Sequence, residues 1–144
     1  MIYLKKSAWF ILLLLAIGCQ KRVKVYEPEY PAYWPKPNYD IKAAAVDQAK
    51  INLGRILFYD RALSGNNTIS CASCHLIFTS FTHTDHAISH GINDEQGTRN
   101  SIALVNLAWN KSFMWDGAIN HLDFQGLAPI ESTSEMGSKI TEVA

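Results

Sequence analysis

The sequence has only three cysteines among 144 residues, and no excess of charge of either sign: thirteen Lys and Arg stand against thirteen Asp and Glu. A balanced charge gives no electrostatic basis for binding nucleic acid. Its longest apolar run, Ala8 to Ile17, has ten residues, half of the roughly twenty that a membrane-spanning helix needs. There is no internal repeat, no low-complexity tract and no alternating apolar and polar run of useful length, so neither a solenoid nor a half-buried sheet is expected. Disorder is excluded in turn, because 48% of the residues are hydrophobic and 11% aromatic, more than enough to build one small core.

What is present begins with a targeting pattern. Lys5 and Lys6 precede the apolar run, which ends in Leu15-Ala16-Ile17-Gly18-Cys19. A basic start, a short apolar stretch and small residues before a cysteine read as a lipoprotein signal peptide over residues 1–18, with Cys19 carrying lipid. The alternative is an ordinary signal peptide with an incidental cysteine. Residues 19–40 hold four of the five prolines among Tyr26, Tyr30, Tyr33, Trp34 and Tyr39. Such spacing prevents helix, so the segment reads as a tether, although its aromatics could equally lie in a groove of the domain. The expected location is periplasmic, lipid-anchored to a bacterial membrane.

From residue 41 the pattern is helical, and the expected class is all-α. Asp40 can cap a helix over about 42–58, in which Val46, Ala49, Leu53, Ile56 and Leu57 recur at helical spacing. A short buried helix is expected between Ile102 and Ala108, and a last one around His121–Leu127 that ends near Pro129. Residues 41–144 then form one domain.

The chemistry is concentrated in Cys71-Ala72-Ser73-Cys74-His75. This is the spacing of covalent haem c attachment: on a helix it turns both thiols to one face and brings the imidazole beneath the iron. A thioredoxin-like dithiol lacks its βαβ setting here, and a zinc site lacks a second ligand pair of the same spacing. One haem is expected, with Cys71 and Cys74 bonded to the porphyrin and His75 on the iron. Candidates for the other axial position are His83, His86, His90, His121, Met114 and Met136. Methionine there would suit electron transfer, and an open or displaceable site would suit peroxide chemistry.

Beyond this motif the sequence resembles the amino-terminal haem domain of bacterial di-haem cytochrome c peroxidases and their methylamine-utilisation relatives. The likeness runs from about Asn52 to Gly137 and rests on ordered blocks. These are Leu53-Gly54-Arg55-Ile56-Leu57-Phe58-Tyr59-Asp60, Leu63-Ser64-Gly65, the haem motif, Gly97-Thr98-Arg99-Asn100-Ser101, Phe113-Met114-Trp115-Asp116-Gly117, Gln125-Gly126-Leu127-Ala128-Pro129-Ile130 and Glu135-Met136-Gly137.

The resemblance implies a cytochrome c-like peroxidatic domain with short helices and long loops. Glu135 would move the peroxide proton, Gln125 would position the oxygens, and Trp115 would lie between this haem and another. Asn100 would help hold a calcium ion, and His90, with His86 second, would cap the iron in a resting state. The implied reaction reduces hydrogen peroxide to water with electrons from a small periplasmic redox protein, a cytochrome c or cupredoxin. Family members continue into a second haem domain, whereas this chain has one CxxCH and stops at Ala144; a truncated sequence is therefore expected. Two other functions stay open: a stand-alone monohaem electron carrier with Met114 or Met136 on the iron, and a related di-haem oxidase acting on side chains of a partner protein.

Overall fold

The computed structural model describes residues 24–143; the signal peptide and the lipid-bearing Cys19 lie outside the described residues. Within this range the fold is helical, with four isolated antiparallel bridges and no longer ladder. The helices are α1 (Gln48–Tyr59), α2 (Cys71–Cys74), α3 (Leu122–Gln125), α4 (Leu127–Glu131) and α5 (Ile140–Val143), joined by long loops and single 3₁₀ turns. Helix α1 packs against α2, and α4 against both α3 and α5. No described helix is long and apolar enough to cross a membrane.

The first helix begins later than expected. Asp40 does cap, its Oδ1 accepting the Ala43 N–H at 2.9 Å, but the turn it starts ends at Ala45, whose φ is +48°. Val46 and Asp47 are drawn instead into extended pairing. Val25 bridges Asp47, and the Tyr26 N–H donates to the Val46 carbonyl at 2.6 Å. Asp47 then opens α1 by accepting the Lys50 N–H at 2.8 Å, which meets one of the unpaired donors of the first turn.

The buried helix expected over Ile102–Ala108 is not formed. Only Leu107–Trp109 makes a 3₁₀ turn, entered through Asn106 at φ +53°. The preceding stretch is extended because its backbone serves others: the Ser101 carbonyl accepts the Thr82 hydroxyl at 2.8 Å, and the Ile102 carbonyl faces the His75 ring. The last expected helix is divided at Gly126 into α3 and α4. Pro129 falls inside α4 without breaking it, since first-turn residues have no intrahelical N–H bond to lose.

Residues 24–40 lie on the domain. Tyr30 and Trp34 pack edge-on against Trp109, with ring centroids 5.3 and 5.2 Å away. Trp109 Nε1–H donates to the Pro35 carbonyl at 2.8 Å, and the Asn38 amide donates to the Trp109 carbonyl. The apolar core is small: Phe113 and Met136 are the described hydrophobic residues that are buried, whereas Leu53, Ile56 and Leu57 of α1 stay exposed.

Candidate haem site

Cys71 and Cys74 close a single helical turn whose entry is fixed by Ser73, its Oγ accepting the Ser70 N–H at 3.1 Å. Both thiols are free and partly buried. Burial pushes both thiols above their ordinary range, and for Cys74 the charge of Glu135 adds to the effect while a hydrogen bond with Ser101 opposes it. The next residue, His75, is followed by a tight loop in which Leu76 bridges Thr82. Ser80 and Phe81 turn that loop with φ of +57° and +59°, a strained pair for residues bearing a Cβ.

The turn brings the Phe81 carbonyl to 2.7 Å from His75 Nδ1. With Nδ1 donating there, the neutral ring carries its lone pair on Nε2, which is how a ligating imidazole is ordinarily oriented. Burial lowers the His75 pKa, against the opposing pull of the Phe81 and Ile102 carbonyls, which favours the neutral ring that ligation requires. Among the described residues no three His, Cys, Asp or Glu side chains converge on a metal-sized site. The donor set of one imidazole beside two thiols therefore fits haem c, which brings four nitrogens of its own and needs from the chain an axial ligand and two attachment points.

Glu135 is near enough for its charge to act on Cys74. It is half-buried, and burial raises its pKa. Two glycines let its loop approach. A Cβ on Gly91 would collide with the Ser134 carbonyl and stand 2.5 Å from the Glu135 carbonyl oxygen and 2.6 Å from its Cα. A Cβ on Gly65 would strike the Gly137 carbonyl. The backbone then closes through Ile92 N–H to the Glu135 carbonyl and Gly65 N–H to the Met136 carbonyl, both 2.8 Å. Gln125 donates from Nε2 to the Met114 sulfur at 3.1 Å, and its buried Oε1 has no partner among the described residues.

The expected site residues form a continuous set of neighbours. Met114, bonded to Gln125, precedes Trp115, whose Nε1–H donates to the Asn100 carbonyl at 2.7 Å. Trp115 is 64% exposed and so is not a core residue. Ser101 faces Cys74, and the Cys74 thiol reaches the His90 carbonyl at 3.4 Å. The His90 imidazole is turned to its own loop: Nδ1 lies 2.6 Å from Asp94 Oδ1 and Nε2 lies 3.4 Å from the Gln96 amide. His83, His86 and His90 stand in a row, with centroids 5.0 and 4.7 Å apart. Met136 is buried core, and His121 caps α3 by accepting the Asp123 N–H.

Asn100 is fully engaged. Its Nδ2 donates to the carbonyls of His83 and His86, and its Oδ1 accepts from the Ser89 hydroxyl and the Ser101 N–H. Within this chain Oδ1 thus carries two hydrogen bonds, the Ser101 N–H being shared with Ser89 Oγ. Its work here is to clasp the histidine loop. Sequence reasoning missed this clasp, the Phe81 carbonyl, and the close approach at Gly65 and Gly91. For the last, the glycines themselves were the available signal.

Comparison with known proteins points to one family. The family described as di-haem cytochrome c peroxidase matches residues 48–144. The chain is 36% identical over 105 residues to cytochrome c551 peroxidase of Nitrosomonas europaea, covering 72% of this chain and 31% of that protein. It is 33% identical over 101 residues to methylamine utilization protein MauG of Methylorubrum extorquens, covering 66% and 27%. Among solved structures, a MauG-like protein associated with microbial copper homeostasis superimposes with a TM-score of 0.70 at 33% identity, over 81% of this chain and 33% of the other. The chain thus spans about a third or less of the length of the relatives it matches.

Proposed function

The chain belongs to the di-haem cytochrome c peroxidase family, and on that premise we propose that it is a peroxidatic haem domain. In this reading Cys71 and Cys74 hold one haem c by thioether bonds and His75 binds its iron. The reaction is reduction of hydrogen peroxide to water with electrons from a small periplasmic redox protein, a cytochrome c or cupredoxin. The protein is exported and held at the membrane by lipid on Cys19.

The observation that carries the proposal is a half-buried carboxyl, Glu135, whose charge is felt at Cys74. Haem, when bound, supplies a redox-active iron for the peroxide. Splitting the O–O bond to water needs a proton removed from one oxygen and delivered to the other, and two protons are consumed for each two electrons. Glu135 Oε is the group suited to that transfer. Burial raises its proton affinity toward the working range of a general acid–base, and the glycine contacts at Gly65 and Gly91 hold its backbone still. Gln125 offers an amide with a free buried oxygen to orient the substrate. Trp115, exposed and anchored to Asn100, is the aromatic at which electrons enter. His90 is the resting-state cap, which requires its imidazole to leave Asp94 and Gln96.

The test is expression of the chain with a haem-attachment system. One covalent haem per chain is expected, followed by a fast absorbance change on adding peroxide. Glu135→Gln should slow that change by roughly a hundredfold, as loss of a general acid–base does. Unmodified Cys71 and Cys74, or a rate indifferent to Glu135→Gln, would overturn the proposal.

A further inference from the structure

Residues 24–47 precede the segment matched by the family, residues 48–144, yet they are fastened to it at a functionally placed point. The Tyr39 hydroxyl donates to Asp123 Oδ1 at 2.5 Å, across 84 residues of sequence. Asp123 lies in α3, the turn of four residues that carries Gln125. A single turn has almost no intrinsic stability, since helix nucleation is unfavourable until further turns form. What holds α3 must therefore come from outside it.

On its carboxyl side α3 meets Gly126, around which an added Cβ would touch nothing within 4 Å. There α3 runs on through Gly126 into α4, which packs against it. On the other side, the Tyr39 ring packs on the His121 ring at 5.8 Å, and His121 on Phe124 at 5.7 Å. Tyr39 is itself anchored, its N–H donating to the Ala108 carbonyl at 3.0 Å. The neighbouring Trp109 is gripped by Tyr30, Trp34, Pro35 and Asn38. The strap is thus fixed to the body of the domain, and its hydroxyl reaches out to α3, whose other supports are the packing of α4 and the bond from Gln125 to Met114. Asp123 and Gln125 are two residues apart and so lie on different faces of the turn: Asp123 is exposed toward the strap, while the Gln125 Oε1 is buried.

We propose that Tyr39 is a positioning residue that acts through Asp123 to fix the α3 turn and thereby the direction of the Gln125 amide. The inference rests on the reading of Gln125 as a distal residue. Tyr39 touches neither haem nor substrate. Its effect is transmitted by a hydrogen bond to a carboxylate, the stronger class of such bonds, acting on a turn too short to hold itself.

The experiment uses the haem-loaded chain, with cyanide as the probe of the distal side and amide hydrogen exchange as a probe of α3. Tyr39→Phe, which removes the hydroxyl and keeps the ring, should speed exchange at Asp123–Gln125 and weaken cyanide binding roughly fivefold or more, the usual lower range for coupling between separate sites. Asp123→Asn, which keeps an acceptor for the phenol, should restore most of the affinity lost in Asp123→Ala. The double variant Tyr39→Phe/Asp123→Ala should bind no worse than the weaker single variant, because both break one bond. Gln125→Leu is the reference. If it shifts cyanide affinity while Tyr39→Phe shifts neither affinity nor exchange, the positioning role is overturned and the distal reading stands. If Gln125→Leu leaves affinity unchanged, the distal reading itself fails. Additive losses in the double variant would also overturn the proposal.

Discussion

His75 Nδ1 stands 2.7 Å from the carbonyl oxygen of Phe81, across a loop whose residues Ser80 and Phe81 both have left-handed φ. Ser80→Pro forces that residue to φ near −65° and removes the turn that delivers the carbonyl. Haem attachment at Cys71 and Cys74 should persist. The reduction potential should rise, because an imidazole that no longer donates from Nδ1 is a less basic ligand and supports the oxidised iron less well. Ser80→Gly, which favours the left-handed turn, should leave the potential unchanged. Potentiometric titration of the three proteins decides the matter.

Gly91→Ala should loosen Glu135. The added methyl meets backbone, at the Ser134 and Glu135 carbonyls, and backbone cannot swing aside as a side-chain tip does. A loss of about 1–3 kcal/mol in stability is expected from such overpacking, measured by thermal melting. The reaction with peroxide should slow in the same variant. Gly54→Ala, where a Cβ meets nothing within 4 Å, is the control and should gain slightly as a helix-interior replacement.

Asn100→Ala should cost about 1–3 kcal/mol, since it strands the partly buried polar groups that the amide satisfies. Protease sensitivity should appear first between His83 and His90, the segment the amide clasps.

Tyr39 is pushed up to about 12 by burial, by its hydrogen bond to Asp123 and by that carboxylate's charge. A phenol normally ionises near 10. Its raised value means that the protonated form favours the folded state: the contribution is fully present below about pH 10 and is lost as pH rises toward 12. His121 and Arg55 also face this region. Tyrosinate absorbance should show a late-ionising step from Tyr39. Tyr39→Phe should abolish that late step and the stability difference from wild type above pH 12.

The haem motif is legible because its chemistry lies in five consecutive residues whose geometry a helical turn fixes locally. Glu135 and Gln125 were reached only through resemblance to a family, for a carboxylate in a polar loop carries no local signal. The start of α1 was misplaced for a physical reason. Asp40 and Asp47 are both good caps, and the choice between them is made by Val25 and Tyr26, which pull Val46 and Asp47 into extended pairing. Tertiary demand likewise overrode helical periodicity at Ile102–Ala108, where carbonyls are needed elsewhere. Contacts such as Trp109 with Pro35, 74 residues apart, leave no trace in any window of sequence.

Among the described residues the apolar side chains that are buried are Phe113 and Met136. So small a core offsets little of the conformational entropy of over a hundred ordered residues. If Cys71 and Cys74 take haem as proposed, the porphyrin would supply the apolar surface that these side chains lack, and folding would then be coupled to haem loading.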